Sequence, residues 1–110
     1  MQQREVEIVN TLGLNATASA KLAQLAVKYQ CAVSLTRNGR KVNAKSLMGV
    51  MMLAAGKGSR LALETEGPDE TEALNAIVAL IADGFGESPT RRRETRPAQE
   101  PGNDPNERSR

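Results

Sequence analysis

Histidine is absent from this chain, tryptophan is absent too, and cysteine occurs once. Without imidazole there is no side-chain ring nitrogen to accept a phosphoryl group or to act as a base near neutral pH. Cys31 is alone, so no internal disulfide can form. No apolar stretch reaches the roughly 18 residues of a membrane span, and none heads a signal peptide. The expected setting is therefore a reducing cytoplasm with no membrane partner, and the Asn15-Ala16-Thr17 match to a glycosylation sequon is coincidental. A charge excess of either sign is missing as well. Residues 1–86 hold 9 Lys/Arg against 8 Asp/Glu and residues 87–110 hold 6 against 5, so neither part has the basic balance that binds nucleic acid. No cofactor and no metal site are expected.

A chain of 110 residues supports one small domain, burying about two-thirds or less of its unfolded surface. The composition changes after Gly86. Ser88 to Arg110 carries Pro89, Pro97, Pro101 and Pro105 among charged and polar residues, with Ala98 as its single hydrophobic residue. Such a segment cannot repay the entropy of ordering. The expected organisation is a folded domain over 1–86 and a disordered tail over 87–110, with Arg91-Arg92-Arg93 a solvated charge run.

Periodicity within the body gives an α+β pattern. Val6 and Ile8 alternate with Glu5 and Glu7, Val33 and Leu35 with Ser34 and Thr36, and Leu61 and Leu63 lead into Glu64 and Glu66. Each reads as a half-buried strand. The Asn38-Gly39 pair predicts a hairpin into a short strand at Lys41-Val42. Three helices can cover the sheet. Leu22, Leu25, Ala26 and Tyr29 share a face of the first, Leu47, Val50, Met51 and Ala54 of the second, and Leu74, Ile77, Val78 and Ile81 of the third. The third should start after Pro68-Asp69, with Asp69, Glu70 and Glu72 favourable to its dipole, and end near Gly84. The order β-α-β-β-α-β-α predicts a four-stranded antiparallel sheet with three helices on one face. Gly56-Lys57-Gly58-Ser59 breaks the Walker order and reads instead as a helix C-cap at Gly56 followed by a turn at Gly58.

Two segments carry a resemblance. Val9-Asn10-Thr11-Leu12-Gly13-Leu14-Asn15-Ala16-Thr17-Ala18-Ser19-Ala20-Lys21 resembles the first loop and helix start of HPr, the phosphocarrier of the bacterial sugar phosphotransferase system, whose pattern there is roughly G-L-H-A-R-P-A-A. Asn38 through Ser59 is similar to the regulatory-serine segment of the same family almost residue for residue. The likeness covers about residues 1 to 86 and implies the open-faced sandwich already reached from periodicity. Three departures cluster in the first motif. Asn15 stands where the family has its phosphorylated histidine, Thr17 where it has arginine, and Ala18 where it usually has proline.

In the family, the histidine takes a phosphoryl group from enzyme I and passes it to an enzyme II component. Asn15 cannot do so, because its amide nitrogen lone pair is delocalised into the carbonyl. Thr17 removes the fixed charge and bidentate geometry that arginine offers a phosphate. Asn15 should still cap the helix that follows, since asparagine is among the best N-cap residues. Thr17, Ser19 and Cys31 lack the nearby base that a phosphate-accepting hydroxyl or thiol needs.

The resemblance places Ser46 at the serine that HPr kinase/phosphorylase phosphorylates in one branch of the family. At a helix start, an added charge of about −2 would meet exposed amides and the positive dipole end, with Lys45 adjacent; a plain capping role is the other reading of Ser46. Leu47, Met48 and Met51 fall on family positions of the partner-docking patch, and Asn15 and Thr17 belong to the same contact surface. A methionine stripe at helical spacing is otherwise packing material.

Two functional readings follow from the resemblance. One is a histidine-less regulatory or docking form controlled at Ser46, like HPr paralogues that carry glutamine at the Asn15 position and keep the serine. The other is a phosphocarrier altered at Asn15 and Thr17. Expected partners are enzyme I, enzyme II components, HPr kinase/phosphorylase and a regulatory protein.

Overall fold

Alternation of apolar and polar residues in four short segments produces one sheet. A computed structural model describes residues 1–87, and the expectation of a disordered tail lies outside those residues. The elements are β1 (Gln2–Glu7), α1 (Ala16–Ala26), β2 (Ala32–Arg37), β3 (Arg40–Asn43), α2 (Leu47–Met52), β4 (Arg60–Glu66) and α3 (Glu70–Ala82), closed by a short 3-10 turn at Gly84–Gly86. The sheet order is β1-β4-β2-β3 with antiparallel neighbours throughout.

Register sets which side chains face the helices. Val6 pairs with Leu61, and Leu35 lies between Leu63 and Val42. Because side chains alternate across a strand, Val6, Leu61, Leu63, Leu35 and Val33 share one face, and all five are buried. From above, α1 adds Leu22 and Ala26, α2 adds Val50, and α3 adds Leu74, Ile77 and Ile81, all buried. The opposite face is polar. At its centre Glu64 accepts from Gln3 Nε2 at 3.0 Å and pairs with Lys41 Nζ at 3.1 Å. The Asn-Gly hairpin is present with Arg37 opposite Arg40, and Asn38 and Gly39 both adopt the positive φ that its turn requires.

The second helix departs from the periodic reading. It is only six residues long, and Val50 and the following Leu53 face the core, whereas Leu47, Met51 and Ala54 are exposed. The expected face was one turn too generous, because the chain leaves the helix at Leu53 and Ala54 turns left-handed with φ 52°. That residue, not Gly56, makes the left-handed exit. Gly58 does occupy a turn, with φ 91°.

The third helix begins as expected, but Asp69 is spent elsewhere. Its carboxylate accepts the backbone amides of Gln30 at 2.8 Å and Cys31 at 2.9 Å, fastening the turn before β2 to the start of α3. Glu70 instead reaches back to the Gly67 amide at 3.0 Å. These donors hold both carboxyls below the usual carboxylate range, the Gln30 amide first for Asp69 and the Gly67 amide first for Glu70.

Candidate functional site

The start of α1 is built by the loop leaving β1. Ile8 is clipped to the segment before β4, its amide donating to Ser59 O at 2.9 Å and its carbonyl accepting from Gly58 N at 2.7 Å. Asn10 is buried, and its Nδ2 donates to Gly13 O at 2.9 Å. Gly13 has φ 66°, and a Cβ there would sit 2.7 Å from both Ala55 O and Gly56 Cα. Only glycine fits such an approach. Leu14 then donates to Ala55 O at 2.8 Å, so the exit of α2 and the entry of α1 are held backbone to backbone.

Asn15 follows in extended geometry, φ −74° and ψ −176°, and its Oδ1 accepts the Ala18 amide at 2.8 Å. The capping role expected of Asn15 is what the geometry displays. One turn on, Ser19 donates from Oγ to Leu14 O at 3.2 Å and is fully buried, which removes it as a surface acceptor of phosphate. Thr17 is exposed. The Ala16 and Thr17 amides fall in the first turn, where no intrahelical acceptor exists. Among the described residues the site presents first-turn amides without an acceptor and a neutral carboxamide whose oxygen is already engaged.

A strap from the other end of the domain lies across this loop. Gly84, Phe85 and Gly86 all have positive φ, and Phe85 tolerates it at 59° because its ring is buried. Its carbonyl accepts Lys21 Nζ from α1 at 2.7 Å, and Glu87 Oε1 accepts the Leu12 amide at 3.3 Å. Sequence reasoning missed Asn10, Gly13, Lys21 and Glu87 as builders of the site. Gly13 alone carried a usable signal, a glycine placed just before a helix cap.

Ser46 caps α2, with φ −102° and its Oγ accepting the Gly49 amide at 3.1 Å. It is half-buried. Gly49 makes the cap possible, since a Cβ there would crowd Asn43 O at 3.2 Å and Ser46 Oγ at 3.4 Å. Two supports expected for a phosphate are weaker than the sequence suggested. Six residues give α2 little dipole, and the adjacent Lys45 directs its Nζ to Tyr29 O at 2.8 Å.

The outer face of α2 is apolar and open. Leu47 is 42% exposed, Met48 72%, Met51 41% and Met52 59%; as neighbours at i, i+1, i+4 and i+5 they line one side of the helix. Met52, which belongs to the methionine stripe but not to the docking positions that the resemblance implies, lies on the same face. Leu12 and Val27 are also exposed, and α1 packs against α2. Cys31 takes no part, since burial and then the Asp69 carboxylate push its thiol above its ordinary range. Among the described residues no His/Cys/Asp/Glu group could hold a metal, and no helix is long and apolar enough to cross a membrane.

Residues 2–83 match the PTS-HPr family, described as "PTS HPr component phosphorylation site". The phosphocarrier protein HPr of Cupriavidus necator is 62% identical over 87 residues, covering 79% of this chain and 98% of that protein. Among solved structures, an HPr from Thermoanaerobacter tengcongensis superposes with a TM-score of 0.78 at 41% identity, covering 80% of this chain and 99% of the other. The Bacillus subtilis catabolite repression protein Crh, described as an intertwined dimer with a swapped domain, aligns at 39% identity and a TM-score of 0.62, covering 76% and 97%.

Proposed function

The chain belongs to the HPr family of the phosphotransferase system, and from that premise we propose that it is a histidine-less regulatory or docking member controlled by phosphorylation at Ser46. One observation carries the reading: the chain has no histidine, and the side chain at the start of α1 is an asparagine whose oxygen is committed to the Ala18 amide. In this reading Asn15 takes the place of the phosphohistidine and Thr17 that of the arginine, leaving the scaffold without a phosphoryl acceptor. The α2 face of Leu47, Met48 and Met51, together with Asn15 and Thr17, is the surface that enzyme I and enzyme II components contact in the cytoplasm.

Ser46 supplies the control. Ser46 is half-buried, and among the described residues its Oγ is engaged only as an acceptor from Gly49, so the hydroxyl proton can be exchanged for phosphate. The product is a phosphate ester and lacks the transfer potential of a phosphoramidate, so its effect runs through binding. A dianion beside Leu47 and Met48 repels acidic partner surfaces and attracts an Arg/Lys cluster. Likeness to a protein named for catabolite repression supports a regulatory member of this fold.

Treatment with HPr kinase/phosphorylase and ATP should place one acid-stable phosphate on Ser46, located by mass spectrometry. Ser46→Ala removes it, and Ser46→Asn removes it while keeping a capping oxygen. Phosphate found only elsewhere would overturn the Ser46 assignment. The second reading, a carrier altered at Asn15 and Thr17, is favoured by the 62% identity to a named phosphocarrier. HPr kinase/phosphorylase together with a second, histidine-bearing HPr in the same genome would favour the regulator, and neither present would favour the altered carrier.

A further inference from the structure

The sulfur atoms of this protein divide cleanly between surface and core. All four methionines lie outside the core, Met1 at 68%, Met48 at 72%, Met51 at 41% and Met52 at 59% exposure, while the single cysteine is 1% exposed. With no histidine and no tryptophan in the chain, the accessible side chains that a mild two-electron oxidant attacks are thioethers. Three of them fall within the six residues of α2, on the face otherwise formed by Leu47.

We propose that Met48, Met51 and Met52 are a peroxide-responsive modification site that switches the α2 face from apolar to polar. The thioether sulfur lone pair attacks one oxygen of a hydroperoxide and the O–O bond breaks. A sulfoxide S–O bond forms, and the departing oxygen takes up a proton and leaves as water or alcohol. Sulfur loses two electrons and the peroxide gains them. The fold has no methionine in its core to be disrupted, so the event changes the surface and leaves the packing of Val50 and Leu53 intact. Its consequence for partners rests on the proposed docking role of this face: a sulfoxide buried in an interface without a donor weakens binding.

The experiment treats the full chain with hydrogen peroxide and follows four readouts: the site of oxidation, the fold, the polarity of the α2 face and the affinity for a partner. Peptide mass spectrometry should find single oxygens at Met48 and Met52 first and Met51 later, with Cys31 untouched. Far-ultraviolet circular dichroism and the thermal midpoint should not change. Retention on a phenyl resin should fall, return after methionine sulfoxide reductase treatment, and be peroxide-insensitive in the M48L/M51L/M52L variant, which retains the apolar face and still oxidises at Met1. Affinity for enzyme I should drop about tenfold on oxidation, the scale of burying one unpaired polar group. Oxidation directed to Cys31, loss of fold with oxidation, or retention unchanged after the three sulfurs are oxidised would each overturn the proposal. If the untreated protein fails to bind enzyme I, the docking reading fails, and the resin and mass measurements still judge the sulfur site.

Discussion

Replacing Asn15 by alanine removes one hydrogen bond and separates capping from any contact chemistry. The bond lost is the 2.8 Å contact from the Ala18 amide to Oδ1. Ala18 itself is 3% exposed, so its freed N–H cannot be fully rehydrated, and the cost belongs in the middle to upper part of the ~0.5–2 kcal/mol seen for such caps. Taking about 1–1.5 kcal/mol, the melting temperature of a domain of this size should fall by about 5–10 °C. Asn15→Asp tests the same position from the other side. It keeps the acceptor and adds a negative charge to a first turn that has no acidic residue, which should stabilise by about 0.3–1 kcal/mol above the carboxylate range. Urea unfolding followed by circular dichroism measures both, and an unchanged m-value confines the effect to stability. An alanine variant as stable as the parent, or an aspartate variant as unstable as the alanine, would refute the capping account.

Other outcomes follow from the same geometry. Gly13→Ala should lose about 2 kcal/mol or more in urea unfolding, because left-handed backbone and a Cβ 2.7 Å from Ala55 O act together; a neutral variant would contradict the close approach of the two loops. Asp69 and Glu70 are held below the usual carboxylate range by backbone amides, so their stabilisation is complete only above the unfolded-state carboxylate values, at about pH 5, and is lost as pH falls from there through their lower folded values. Asp69→Asn should flatten that part of the acid unfolding curve, and an unchanged curve would contradict the double contact to Gln30 and Cys31. Asn15→His combined with Thr17→Arg should gain acid-labile label from enzyme I and phosphoenolpyruvate, and a well-folded double variant that gains none would remove the retained-interface argument.

Strands and the first and third helices were readable because burial of one face imposes a period on the sequence. Val33 and Leu35, or Ile77 and Ile81, have no other reason for their spacing. The second helix was misread for a physical reason: Leu47, Met48, Met51 and Met52 are as apolar as core residues, and periodicity cannot distinguish a stripe facing the sheet from one facing water. Its end was equally hidden, since alanine at position 54 gives no sign of a left-handed turn. Asn15 and Ser46 were legible as caps from residue type alone. The contacts that tie the loops together were not, because Asp69 across to Cys31, Lys21 to Phe85 and Glu87 to Leu12 join residues far apart in the chain.

The central claim is that this HPr-family chain carries no phosphoryl relay. Incubation with enzyme I and radiolabelled phosphoenolpyruvate, with a histidine-bearing HPr as the positive control, tests it directly. The account expects no acid-labile label on this protein while the control is labelled. Acid-labile label on the chain, at Asn15 or any other residue, would contradict it.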